Sequence, residues 1–221
     1  REIAEARGVT VDMEGFERSM AAQRERARAA GAKDAEAAWS TYGGVYADLL
    51  AELGPTRFVG YDATAAEARV VALVRDGERV DALAAGETGE AVLDVTPFYA
   101  EMGGEVGDTG LLENGEGHAY VLDAKAPEKG LTVHSVRCED APLAVGDAVV
   151  ARVDAQRRAA IERNHTATHI LHAALRQVLG EHVKQAGSYV GPDRLRFDFT
   201  HFEALTSEQI AEVERVANLR I

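Results

Sequence analysis

Between residues 57 and 153 the sequence has a strand-like pattern, and this stretch most limits the folds open to the chain. Seven short runs of β-branched and apolar residues alternate there with Gly, Asp, Asn and Pro. The runs are 57–61, 68–74, 79–83, 91–95, 118–122, 131–136 and 148–153. Seven such runs without intervening helical patterns favour a small antiparallel barrel or closed sheet over βαβ units.

Helical patterns flank this region. Residues 1–53 read as helices that stop at Gly54-Pro55, and one long helix is predicted from Asp154 to about Leu179, with Gly180 ending it. A strand pair, Val183–Val190 and Arg194–Phe199, and a last helix opening at Thr206 or Ser207 follow. We therefore predict an α+β fold with domains at 1–55, 56–153 and 154–221.

The third domain is predicted to be incomplete, because a helix, a hairpin and a helix need more strands to cover them. The chain also begins at Arg1 without a Met, which we interpret as a piece of a longer polypeptide. The sequence contains no run of 18 or more apolar residues, so it predicts no membrane span. The single Cys138 excludes an internal disulfide framework, is expected to be a buried strand residue, and favours the cytoplasm.

The formal net charge is −13, which argues against a protein that wraps nucleic acid over its whole surface. Residues 76–128 carry 13 Asp/Glu and 2 Lys/Arg, but residues 151–200 carry 8 Lys/Arg and 5 Asp/Glu. The basic part could meet a polyanion locally, or it could be an ordinary solvated face with ion pairs. Its candidate residues are Arg157, Arg158, Arg163, Arg176, Lys184, Arg194 and Arg196.

Three histidines of the predicted long helix, His165, His169 and His172, lie at i, i+4 and i+7 and so along one face. Two imidazoles on successive turns can both reach one Zn²⁺, but a hydrolytic zinc usually has three protein ligands and a water. Thr166 stands where a zinc protease needs its Glu, which excludes that class. The alternative is that the histidines are packing or helix-surface residues.

A glycine-rich segment occupies residues 97–110, with four glycines between positions 103 and 110. Glycine permits positive φ angles and a close approach of other backbone. The segment is therefore either a wide barrel turn or a loop that lets another backbone or a nucleotide come very near.

Four stretches of sequence together resemble the editing region of the alanyl-tRNA synthetase family. They are the glycine-rich segment 97–110, the helical segment Asn164–His172, and the hairpin motifs Val183–Ser188 and Leu195–Phe199. The opening residues are similar to the stretch that follows the family's tRNA-recognition helices. The resemblance covers nearly the whole chain in the family's order and favours the zinc interpretation of the histidines.

The resemblance implies that the intact protein attaches alanine to tRNA(Ala) with ATP and Mg²⁺ in a separate N-terminal domain. It also implies hydrolysis of mischarged seryl- and glycyl-tRNA(Ala) at a zinc site, with no membrane partner. His165 and His169 match two zinc ligands, and a downstream Cys-x-x-x-His pair would supply the others. This chain would then hold zinc weakly and be inactive alone.

Further site residues follow from the same resemblance. Thr168 and Gln185 match polar positions that would orient the ester or water. Contacts with the tRNA acceptor end are expected at Gly103, Gly104, Arg163, Lys184 and Arg196. The family usually has Ser and Gln where this chain has Met102 and Glu105. Two alternatives remain: a free-standing trans-editing hydrolase, or a non-catalytic tRNA-binding or spacer module with structural histidines.

Overall fold

The structure is a computed structural model, and it describes residue 15 and residues 43–220. The chain divides into two compact units, Arg1–Gly44 and Val45–Ile221, of which the second is described below. The helices predicted before residue 43 lie outside the described residues. Helix α1 (Gly43–Leu53) ends at Gly54, as predicted from the glycine and the following proline. No helix among the described residues is long and apolar enough to cross a membrane.

Six antiparallel strands close into the predicted small barrel. They follow the order β11-β7-β8-β9-β5-β2, and pairing of β2 with β11 closes the sheet. β3 extends β2, while β1 pairs with β6 and β4 pairs with β10. The strands are β1 (Arg57–Phe58), β2 (Ala65–Arg75), β3 (Glu78–Val80), β4 (Ala82–Leu83), β5 (Thr88–Leu93), β6 (Val95–Thr96), β7 (Gly110–Glu113), β8 (His118–Glu128), β9 (Leu131–Cys138), β10 (Leu143–Ala144) and β11 (Ala148–Val153).

Side chains from the inward face of each strand fill the barrel. Leu73, Leu93 and Leu112 are fully or almost fully buried, and Phe98 caps the same core. Cys138 is also fully buried in β9, as predicted, and burial raises the pKa of its thiol. The barrel interior is therefore a packed core rather than a ligand cavity.

The long helix α2 (Ala155–Leu179) follows the barrel directly. The Asp154 side chain caps it by accepting a 2.9 Å hydrogen bond from the Arg157 backbone N–H, and Gly180 ends it with a φ of +116°. The predicted bounds of this helix are confirmed, because the local signals at Asp154 and Gly180 set both of its ends.

An antiparallel hairpin and a last helix pack on the C-terminal half of α2. The hairpin consists of β12 (Gln185–Val190) and β13 (Leu195–Phe199), and the helix is α3 (Ser207–Asn218). Thr206 and Gln209 form a reciprocal capping box at the start of α3. The α+β fold is confirmed, while the domain boundaries at 55/56 and 153/154 stay predictions.

Candidate functional site

Two of the three predicted helix histidines converge on one point. The Nε2 atoms of His165 and His169 lie 3.0 Å apart on successive turns of α2, and both side chains are exposed. His172 does not join them, because its ring packs 5.0 Å from the ring of Phe197 and its buried Nε2 makes no hydrogen bond to a described residue. The site is therefore a pair of histidines.

This pair fits a zinc ion as two of its ligands. Nitrogens bound at about 2.0–2.1 Å in a tetrahedral site lie about 3.3 Å apart, close to the observed separation. No group of three or more His, Cys, Asp or Glu side chains among residues 43–220 could hold a metal ion. The described residues thus bring two histidines together, and their role as zinc ligands stays a prediction.

Glu105 orients His165 from the opposite side of the ring. The His165 Nδ1–H donates to the Glu105 carboxylate, which leaves the Nε2 lone pair directed toward His169. A carboxylate behind a ligating histidine fixes its tautomer and raises its basicity. Sequence reasoning assigned Glu105 no role. Sixty positions separate it from His165, and no local pattern links the two.

Glu105 is held in place by a tight turn in the glycine-rich segment. Met102 and Glu105 exchange two backbone hydrogen bonds of 3.1 and 3.2 Å. Gly103 and Gly104 lie between them with φ angles of +65° and +90°. A two-residue hairpin turn with two positive φ angles is a type I′ turn, for which glycine is favoured. The two glycines therefore set the direction in which the chain leaves the turn at Glu105.

The same turn docks on strand β12. The Gly104 carbonyl accepts a 2.8 Å hydrogen bond from the Val190 N–H, and the Val106 N–H donates to the Val190 carbonyl at 3.1 Å. A side chain at Gly104 would bring its Cβ within 2.4 Å of the Ser188 carbonyl oxygen. Of the two alternatives for this loop, the structure thus confirms the close approach of another backbone.

Alanine at Gly104 is expected to destabilise the protein more than alanine at Gly103. Both changes strain a positive φ angle, but a Cβ at Gly103 would meet nothing within 4 Å, so this variant is the matched control. The extra loss in the free energy of unfolding should be about 1–3 kcal/mol, the usual cost of overpacking. Urea denaturation of both variants measures it. Equal losses would show that the turn can leave β12 without cost.

The two predicted polar pocket residues lie on α2 and β12, and they differ in exposure: Thr168 is buried and Gln185 is exposed. Thr168 is 8% exposed, and its hydroxyl donates a 2.8 Å hydrogen bond to the Asn164 carbonyl on the preceding turn of α2. Gln185 is exposed at the start of β12, where its amide donates to the Ser188 hydroxyl at 3.0 Å. That hydroxyl in turn donates to the Gly103 carbonyl at 3.1 Å. A role in orienting substrate stays a prediction for both.

Five of the seven candidate polyanion-binding residues are exposed, whereas Arg157 is half-buried and Arg158 is buried. Arg163 and Lys184 are exposed, and neither forms an ion pair with another described residue. Arg196 is exposed beside Asp198 at 3.2 Å. The proposal for Arg158 was wrong, because this residue is only 9% exposed and forms an ion pair with buried Asp108.

The Arg158 guanidinium joins α2 to two barrel segments, the loop at Gly60 and the glycine-rich segment. Besides Asp108, it donates to the Gly60 carbonyl at 3.0 Å and to the Pro97 carbonyl at 2.5 Å. Asp108 also accepts a 2.7 Å hydrogen bond from the Tyr99 N–H. The pair therefore fixes the start of α2, and with it the histidines, against the glycine-rich segment.

Comparison with known proteins gives matches over the whole chain. The family model described as tRNA synthetases class II (A) matches residues 1–157. Alanine–tRNA ligases from Geobacillus kaustophilus, Chloroflexus aurantiacus and Thermus thermophilus are similar at 47%, 49% and 50% identity, over 100%, 99% and 98% of this chain. In each case the chain spans 24% of the length of the relative it matches.

Proposed function

Because the chain belongs to the class II (A) family of tRNA synthetases, we propose that it is the part of an alanine–tRNA ligase that receives the acceptor end of tRNA(Ala) for editing. The whole protein would attach alanine to that tRNA with ATP and Mg²⁺, in the cytoplasm, through a domain outside this chain. Support comes from similarity, over nearly the full length of this chain, to relatives named alanine–tRNA ligase. A free-standing hydrolase is less well supported, since the family match includes the opening residues.

An alanine-specific synthetase needs a hydrolytic site in addition to its aminoacylation site, for a physical reason. A pocket that holds a methyl side chain cannot sterically reject glycine, and it discriminates weakly against the added hydroxyl of serine. Hydrolysis of seryl- and glycyl-tRNA(Ala) would restore accuracy. We place this activity at the histidine pair of α2.

The single observation that carries this proposal is the 3.0 Å approach of the His165 and His169 Nε2 atoms. Two imidazole nitrogens aimed at one point are the arrangement that a shared metal ion requires. Zinc there would supply Lewis acidity or a low-pKa water for cleavage of the ester. Its remaining ligands, a Cys and a His, would come from a segment outside this chain.

The chain's own residues would prepare that site. Glu105 keeps the proton of His165 on Nδ1, so that Nε2 presents a lone pair. The turn at Gly103 and Gly104, which is hydrogen-bonded to β12, holds the Glu105 carboxylate within hydrogen-bonding reach of the His165 Nδ1. Thr168 and Gln185 would orient the aminoacyl ester or the attacking water, and Arg163, Lys184 and Arg196 would contact the RNA backbone.

Deacylation of seryl-tRNA(Ala) tests the proposal in the protein extended to the full length of its relatives. We expect His165→Ala to lower the hydrolysis rate at least about 100-fold and to lower the zinc content, since removing a ligand should cost more than removing its outer partner. The matched control is His201→Ala, which removes one member of another histidine pair, 2.8 Å from His182.

The control variant should keep both activity and zinc. Unchanged hydrolysis and zinc content in His165→Ala would contradict the proposal. The histidines would then be structural, and the spacer interpretation would be the better one.

A further inference from the structure

Asn164 directly precedes His165 on α2, and its side chain contacts a different element of the fold. The Asn164 amide nitrogen donates to the Gly191 carbonyl at 2.7 Å and to the Pro192 carbonyl at 3.3 Å. Because both partners are acceptors, only the nitrogen of the amide can face them. Gly191 and Pro192 belong to the turn between β12 and β13. Asn164 therefore fastens this hairpin to the part of α2 that carries the histidine pair.

The hairpin turn has its own internal support. The Gly191 N–H donates to the Arg194 carbonyl at 3.0 Å, and Gly191 is buried. The Tyr189 hydroxyl occupies the space that a side chain at Gly191 would need, since a Cβ there would lie 2.6 Å from it. The Arg194 guanidinium lies 5.6 Å from the centroid of the same tyrosine ring. A contact that holds the turn therefore also holds the adjoining end of β12.

The end of β12 supports the residue that orients His165. Val190 directly precedes the hairpin turn, and it forms backbone hydrogen bonds of 2.8 and 3.1 Å with the residues on either side of Glu105. The Glu105 carboxylate in turn accepts the hydrogen bond from the His165 Nδ1–H. These contacts form a closed cycle that leaves α2 at Asn164 and returns to it at the next residue, His165.

The glycine-rich segment has a second anchor on α2, which acts elsewhere. Arg157 and Arg158, on the first turn of the helix, bond to residues 107 and 108 of the segment. The turn at residues 103 and 104 rests instead on β12, through the Val190 N–H and the Ser188 hydroxyl. The position of this turn relative to α2 therefore depends on what holds the hairpin.

We propose that Asn164 is a positioning residue for the histidine pair: it holds the hairpin, and through β12 the glycine turn, where Glu105 keeps the proton of His165 on Nδ1. Without the Asn164 amide, the buried Gly191 carbonyl loses its donor, and the turn should move away from α2. The His165 ring is then free to change tautomer, and its Nε2 no longer always presents a lone pair. The proposal rests on the proposed function only for the metal that the pair would bind.

The first measurement is the tautomer of His165 in this chain, from the ¹⁵N chemical shifts of its ring at about pH 9, where imidazole is neutral. The Nδ1–H form should dominate in the parent chain. Asn164→Leu, which removes the donor and keeps a similar size, should abolish this dominance, as should Glu105→Ala. The matched control is Asn114→Leu, which removes an amide that donates to the Pro142 carbonyl at 3.1 Å in a barrel loop. This control should keep the tautomer of the parent.

The second measurement is the zinc affinity of the protein extended to the full length of its relatives, determined by competition with a chelator. Asn164→Leu should weaken zinc binding about tenfold, the lower end of the effect of losing an outer partner of a metal ligand. In a Glu105→Ala background the same change should have almost no effect, because its influence passes through Glu105. An equal loss in both backgrounds would show a general structural role and overturn the proposal.

A second variant tests the same cycle of contacts if Asn164→Leu does not fold. Gly104→Ala would bring a Cβ within 2.4 Å of the Ser188 carbonyl oxygen and so push the turn off β12. It should change the His165 tautomer, whereas Gly103→Ala, whose Cβ would meet nothing within 4 Å, should change it less. A parent-like tautomer in folded Asn164→Leu or Gly104→Ala would overturn the proposal.

Hydrolysis of seryl-tRNA(Ala) by the full-length protein separates this proposal from the proposed function. If the protein deacylates this tRNA but Asn164→Leu alters neither the tautomer nor the zinc affinity, the positioning role is rejected and the editing function stands. If both properties depend on Asn164 but the parent protein does not deacylate, the editing function is rejected and the positioning role stands.

Discussion

Replacing Arg158 by methionine is expected to lower the free energy of unfolding by about 3–5 kcal/mol, the cost of leaving a buried charge without its partner. The Asp108 side chain is 4% exposed and would lose its ion-pair partner in a site with little access to water. The Gly60 and Pro97 carbonyls would lose donors at 3.0 and 2.5 Å. Urea denaturation followed by circular dichroism measures the loss.

Arg152→Met is the matched control for this variant. Arg152 pairs with Glu113 at 3.3 Å, but their side chains are 54% and 44% exposed. Exposed pairs contribute about 0–1 kcal/mol. The double variant Arg158→Met/Asp108→Leu should recover part of the loss, because it removes the unpaired charge. An Arg158→Met loss no larger than that of Arg152→Met would contradict the structural role of the buried pair.

Acid is expected to destabilise the barrel through His134 by about 3 kcal/mol between neutral pH and pH 4. This side chain is fully buried, and burial lowers its pKa from 6.5 to about 4, against the opposing effect of the Ala91 carbonyl. Its Nδ1–H donates to that carbonyl at 2.9 Å, and its Nε2 accepts from the Thr96 hydroxyl at 2.8 Å. The folded state therefore requires the neutral imidazole.

The sign follows from proton uptake. Between pH 6.5 and about 4 the unfolded chain binds a proton at His134 that the folded chain does not, so stability falls as the pH falls. The contribution is complete above pH 6.5 and is lost below about pH 4. His134→Gln cannot take up this proton. Its stability deficit at pH 7 should shrink by about 3 kcal/mol at pH 4, and a deficit independent of pH would refute the assignment.

Local sequence signals, such as capping residues and glycines, predicted the ends of the helices correctly. Asp154 and Gly180 set the ends of α2, and Thr206 with Gln209 set the start of α3. Most barrel strands could be found from runs of apolar residues. β7 (Gly110–Glu113) was missed because it is short and begins within the glycine-rich segment.

Side-chain contacts between residues far apart in the sequence could not be predicted from these local signals. The histidine pair could be predicted because i and i+4 are neighbours on a helix. Arg158 was grouped with surface cations, since burial beside an aspartate fifty positions away leaves no trace in local composition. Glu105 was recognised only as a departure from a family pattern. The sequence thus identified the histidine pair but not the residues that hold it in position.

The closed barrel also has a consequence for how the protein is made. β2 and β11 pair along five positions, from Arg69 with Ala148 to Ala65 with Arg152, although the other barrel strands lie between them in the chain. A ribosome releases its product from the N-terminus onward. The barrel therefore cannot close during translation until β11 has emerged, and until then its two neighbours, β2 and β7, each keep an unpaired edge.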